Sequence, residues 1–166
     1  MSTLHVENLK GLSSGGNANK IIVPSGQTLI APDHVIQAKC VEWDTAYTHN
    51  SSSTVDLMSG QITIQQGSKI IAMVSIGRYV NGSGVWGKSY EMKLYVGNTL
   101  IQDTEHVGPN STGEEAFQHN LMGQTEALNA GTYTIKITGN QIVSTNAHQF
   151  NRSPRSSWLI MQEVSS

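Results

Sequence analysis

Apolar and polar residues alternate along most of this chain with a period of two, and Gly, Asn and Ser separate the alternating runs. Successive side chains of a strand leave on opposite faces, so this period predicts strands rather than helices. Over residues 69–79, Ile70, Ala72, Val74 and Ile76 share one face, and Ile71, Met73 and Tyr79 share the other. Over 89–96, Tyr90, Met92, Leu94 and Val96 alternate with Glu91, Lys93 and Tyr95. Tyr133, Ile135 and Ile137 alternate with Thr132, Thr134, Lys136 and Thr138. Residues 157–164 put Trp158, Ile160 and Val164 on one face and Leu159 and Met161 on the other. Further strands are predicted near 35–43 and 61–64, with a weaker signal near 116–122. Gly97-Asn98 offers a two-residue hairpin turn into Thr99. Gly139-Asn140 closes the strand that follows Ala130-Gly131.

Seven or more short strands with turn residues between them predict an all-β protein, a jelly-roll β-sandwich of two packed sheets. The strands fall into two classes. Those at 90–96 and 132–138 are apolar on one face, as in a sheet whose other face meets water. Those at 35–43, 69–79 and 157–164 are apolar on both. A sandwich covers one face of each sheet with the other sheet. The second apolar face needs its own cover, and the chain has no amphipathic helix to supply it. Sister subunits are the expected cover, with Val41, Trp43, Ile71, Met73, Tyr79, Leu159 and Met161 at their interface.

Residues 1–33 read as an arm ahead of a sandwich over 34–166. Leu4, Val6, Leu9 and Leu12 are spaced apolar positions, after which Ser13-Ser14-Gly15-Gly16-Asn17 breaks the chain. Ile21, Ile22 and Val23 form one short strand, and a Pro24-Ser25-Gly26 turn leads to a second that contains Leu29. Two short strands are not stable alone. These apolar residues are therefore expected to attach the arm to sister subunits or to another protein.

Composition narrows the function. Charged residues are 13% of the chain, against about 25% in an average soluble domain. The net charge is −2 and no Lys/Arg cluster occurs, so a nucleic-acid partner is not expected. Cys40 is the single cysteine. It excludes an intrachain disulfide and, within an apolar stretch, is expected to be a small buried residue. Residues 1–7 lack a basic region followed by an apolar run, so no secretory signal is expected. No stretch approaches the ~20 apolar residues of a membrane span.

Catalytic chemistry is not expected. Gly82-Ser83-Gly84-Val85-Trp86-Gly87 has dinucleotide-fingerprint spacing, but that fingerprint needs a helix next, and a strand pattern follows instead. The six histidines, His5, His34, His49, His106, His119 and His148, lack the close spacing of a zinc site. Glu114-Glu115 and Asp103/Glu105 read as solvated charges, not a catalytic pair. Asp44 and Asp56 lie where a loop could take calcium, but no cofactor or metal is expected from them.

Val6-Glu7-Asn8-Leu9-Lys10-Gly11, Asn19-Lys20-Ile21-Ile22-Val23-Pro24-Ser25-Gly26-Gln27-Thr28-Leu29 and Ala31-Pro32-Asp33-His34-Val35-Ile36-Gln37 together resemble the opening of virion structural proteins of tailed phages, notably those of marine bacteria and cyanobacteria. Gly67-Ser68-Lys69-Ile70-Ile71-Ala72-Met73-Val74, Leu128-Asn129-Ala130-Gly131-Thr132-Tyr133 and Ser157-Trp158-Leu159-Ile160-Met161 resemble strands of their C-terminal sandwich. The resemblance implies a trimeric jelly roll of the tumour-necrosis-factor and complement type, with one sheet around the threefold axis. It implies a virion location and a homotrimeric capsid decoration protein, with the major capsid protein or another virion protein as partner. The alternative is a short tail- or head-fibre protein whose loop aromatics, Trp86 or Tyr47, contact a host-surface polysaccharide.

Overall fold

In a computed structural model of the protein, the described residues are 15, 33–81, 89–106, 114–142, 147–151 and 156–165, without the side chains of 80, 81, 106, 114 and 115. The chain divides into two units, Met1–Ala31 and Pro32–Ser166. The expected attachment residues Leu4, Val6, Leu9, Leu12, Ile21, Ile22, Val23 and Leu29, and the expected glycan contact Trp86, lie outside the described residues.

Among the described residues ten strands follow one another: β1 (Val35–Trp43), β2 (Tyr47–His49), β3 (Val55–Ile64), β4 (Lys69–Asn81), β5 (Tyr90–Val96), β6 (Thr99–His106), β7 (Glu114–Gln124), β8 (Gly131–Gln141), β9 (His148–Phe150) and β10 (Ser157–Val164). No helix occurs among the described residues. All pairings are antiparallel.

β4 organises the larger sheet. One edge of it pairs with β7 along residues 71–81. The other edge pairs first with β10, over 69–75, and then with β9, over 78–80. β1 pairs with β10 and β2 with β9. The larger sheet is thus four columns wide, in the order β1/β2, β10/β9, β4, β7, and the smaller sheet runs β3, β8, β5, β6. Eight columns in two sheets, with neighbours distant in sequence, make a jelly roll.

The alternating pattern explains the core. Tyr90, Met92, Leu94 and Val96 of β5 and Ile135 and Ile137 of β8 point inward and are buried. Ile70, Ala72, Val74 and Ile76 of β4 meet them from the larger sheet. Glycine is required at Gly97 and Gly139, among other positions. Gly97 has φ +58 at the β5–β6 hairpin, a conformation that side chains resist. A Cβ on Gly139 would lie 2.5 Å from the Tyr90 hydroxyl and 2.7 Å from Leu57, so Tyr90 can lie flat in the core only because β8 is bare there.

The predicted strand classes hold. β1, β10 and β4 are neighbours in one sheet, and β5 and β8 are neighbours in the other. The assignment of faces needs correction. Leu159 and Met161 pair opposite Val74 and Ala72 and are wholly buried inside the sandwich. Val41, opposite Leu159, and Trp43 pack against the same core. Leu159 and Met161 thus fill the subunit's own interior and leave no surface for a partner, while Val41 and Trp43 turn the same way and stay half-buried at its edge. The outward face of β10 is the other one, with Trp158 and Ile160. Cys40 is exposed, not buried, because it lies opposite Ile160 on that outer face.

One charged residue, Glu163, accompanies these apolar side chains. It shares the inward face with Leu159 and Met161, yet it is fully buried. Its carboxylate accepts hydrogen bonds from the Gln65 backbone N–H at 2.7 Å, the Ser68 hydroxyl at 2.8 Å and the Gln37 amide at 2.7 Å. Burial alone would raise its pKa, but these donors outweigh that and hold it below the ordinary carboxylate value. A charge is thereby tolerated at the rim of the core.

Candidate functional site

The outer face of the larger sheet is the first candidate. Cross-strand pairing aligns Cys40, Ile160, Met73 and Met122 in one row across β1, β10, β4 and β7. The row on one side is Glu42, Trp158, Ser75 and Asn120, and the row on the other is Ala38, Gln162, Ile71 and Gln124. Met122 is 64% exposed, Trp158 43% and Ile160 36%. Together with Met73, Ser75 and Asn120 they line a shallow depression of about 350 Å³.

Its physical character is apolar and nearly uncharged. Across the three rows the one formal charge is Glu42. The remaining polar groups are neutral, and Gln118 donates to the Ser75 hydroxyl at 2.6 Å. Identical faces of this kind can meet about a symmetry axis without like-charge repulsion. Covering one such large side chain stabilises by roughly 1.5–3 kcal/mol if its burial is complete. Of the interface expected from the sequence, Ile71, Met73 and Tyr79 do lie on this outer face and are half-buried. Trp158, Ile160 and Met122 were missed. The first two are visible in the sequence as the opposite face of β10, and Met122 as part of the weak 116–122 pattern.

A second cluster lies in the core at the end of the sandwich where Tyr90 sits. Arg78 is fully buried. Its Nε donates to Nε2 of His119 at 3.0 Å, and its Nη1 donates to Nδ1 of His148 at 2.6 Å. The guanidinium carbon lies 4.5 Å from the Phe117 ring centre and 5.3 Å from that of Tyr90. His49 meets the Tyr90 hydroxyl through Nδ1 at 2.7 Å. Burial, and after it the charge of Arg78, depresses the His148 pKa to about 3. Burial lowers that of His49 and raises that of Tyr90.

Two histidines far apart in sequence therefore meet around one arginine, and a third, His49, joins them through Tyr90, although no local spacing announced it. A cation holds two neutral imidazoles, and among the described residues no group of three or more His, Cys, Asp or Glu could hold a metal ion. Tyr47, the described member of the expected glycan contacts, stacks on Phe150 at 6.2 Å and is 36% exposed. It belongs to the same aromatic end.

No family model matches the chain, and no curated protein sequence matches it. Solved structures do. Dimeric latent PorU from Porphyromonas gingivalis matches at TM-score 0.50 and 10% identity over 90% of this chain, which spans 15% of that chain. The EclA C-terminal domain, a sugar-binding protein, matches at TM-score 0.41 and 16% identity over 87% of this chain and 92% of that one. Infectious bursal disease virus Gt strain matches at TM-score 0.40 and 13% identity over 99% of this chain and 47% of that one. At such identities the likeness concerns the fold alone.

Proposed function

We propose that the protein is a non-enzymatic structural protein of a bacteriophage particle, a homotrimeric decoration protein that cements the capsid. The observation that carries this is the exposed row Cys40, Ile160, Met73 and Met122, with Trp158 beside it, on the sheet that would surround a threefold axis. The resemblance of residues 6–37 to phage virion proteins supports the location.

In this role the larger sheets of three copies pack together and the smaller sheets face water. Residues 1–33 attach the trimer to the major capsid protein, by adding strands to its exposed edges. Three linked arms raise one another's effective concentration, so weak single contacts sum to firm attachment. The clamped shell then resists internal pressure.

Sedimentation of the full chain, followed by cryo-microscopy of particles, tests this. The expected result is a trimer, with density at local threefold positions over the whole shell. A stable wild-type monomer removes the proposal. Density confined to the tail favours the fibre alternative instead.

A further inference from the structure

The smaller sheet turns a different surface to water. Asp56, Thr138, Lys93 and Asp103 align in one row across β3, β8, β5 and β6, beside the pair Asn140 and Glu91 and the pair Lys136 and Tyr95. A bulge between Asp56 and Met58 and another between Leu94 and Tyr95 interrupt the ladders on either side, and bulges bend and twist a sheet. The result is a groove of about 370 Å³ that runs along β5 from Glu91 to the Gly97-Asn98 turn. At ~3.3 Å per residue those six steps span roughly 20 Å.

Its groups alternate in kind. Lys93 pairs with Glu91 at 2.8 Å and Lys136 with Asp56 at 3.5 Å. The Lys136 ammonium stands 5.9 Å from the Tyr95 ring centre. Asn140, on the same lining, keeps a buried amide oxygen with no hydrogen-bond donor among the described residues.

We infer that this groove binds a carbohydrate chain, with a sugar ring seated on Tyr95 and its hydroxyls shared among the carboxylates, ammoniums and Asn140. A polyol presents adjacent groups that both donate and accept, which matches alternating acceptors and donors. Phosphate polymers gain nothing here, because two lysines face two carboxylates in the same groove. A peptide has no main-chain partner, because β8 and β5 are both paired on two sides. The inference does not rest on the trimer, since the groove lies within one subunit.

The test uses the full chain on a printed array of neutral, amino and acidic oligosaccharides, with calorimetry on the best ligand. Wild type is expected to bind at least one of them, Tyr95→Ala at least tenfold more weakly, and Glu126→Ala, an exposed position outside the groove, as tightly as wild type. Lys136→Ala, a half-exposed position, gives a second reading should Tyr95→Ala fail to fold. It too is expected to weaken binding severalfold. Wild type that retains no saccharide at millimolar concentration overturns the inference, and so do folded variants at Tyr95 or Lys136 that bind as wild type does. Either outcome is read independently of the sedimentation result.

Discussion

Arg78 and His148 meet across β4 and β9 with the guanidinium donating to Nδ1 at 2.6 Å. Arginine has no acceptor, so Nδ1 must be the bare nitrogen and the ring neutral, with its proton on Nε2. That Nε2 is buried and has no hydrogen-bond partner among the described residues. Protonating Nδ1 would break the bond and set two cations together in the core.

Stability should therefore fall in acid. The folded pKa of His148, about 3, lies below the ordinary histidine value of 6.5, so between these values the unfolded chain binds the extra proton. Stability is full above about pH 6.5 and declines by about 1.4 kcal/mol per pH unit below it. His49 acts in the same direction. Urea midpoints at pH 7.5, 5.5 and 4.5 should decrease in that order. His148→Gln, which keeps an acceptor but cannot titrate, should flatten the slope, and an unchanged slope would place its source elsewhere.

The two faces of β10 should respond oppositely to a charge. Ile160→Asp, on the outer face, should give monomers that unfold as a subunit does. Leu159→Asp should fail to fold, because an unpaired charge in the core costs several kcal/mol. Leu159→Ala should lose about 2–5 kcal/mol and still assemble where it folds. Sedimentation and urea unfolding read both effects. A trimer that survives Ile160→Asp and Trp158→Asp would disprove the assembly face.

Glu163 should be sensitive to loss more than to neutralisation. Glu163→Ala strands the Ser68 hydroxyl and the Gln65 N–H and should cost roughly 1–3 kcal/mol. Glu163→Gln keeps an acceptor in place and should cost less. Equal losses would mean that the hydrogen bonds are not what retains the residue.

Removing residues 1–31 should separate folding from attachment. Among the described residues Asp33 is already tied into the sandwich, its N–H donating to the Ser165 carbonyl at 3.0 Å. The truncated chain should lose less than about 1 kcal/mol, a few degrees in Tm. It should no longer join particles, as measured by co-sedimentation with undecorated shells.

The long strands were legible because turn residues bracket them. Periodicity places β1, β5 and β10 at 35–43, 90–96 and 157–164, and the structure has the same ends. β2 and β9 were not foreseen, since three residues cannot display a period of two. β3 and β7 extend beyond the expected runs because Ser59, Gly60, Gly123 and Gln124 dilute the apolar signal. The faces of β10 were misread because both are apolar and a slip of one residue exchanges them. The meeting of Arg78 with His119 and His148 depends on pairing between strands, which no single segment encodes.

Val35 lies opposite Val164, and Ser165 returns a hydrogen bond to the His34 carbonyl at 3.0 Å. The entry and exit of the sandwich are side by side. Asn81, Tyr90, His106, Glu114, Gln141 and His148 end or begin their strands at the opposite pole. For anyone displaying cargo on this scaffold, a passenger joined after Ser165 would emerge beside Asp33 and His34. One joined at Asn81 or Ser89 would emerge at the far end of the sandwich.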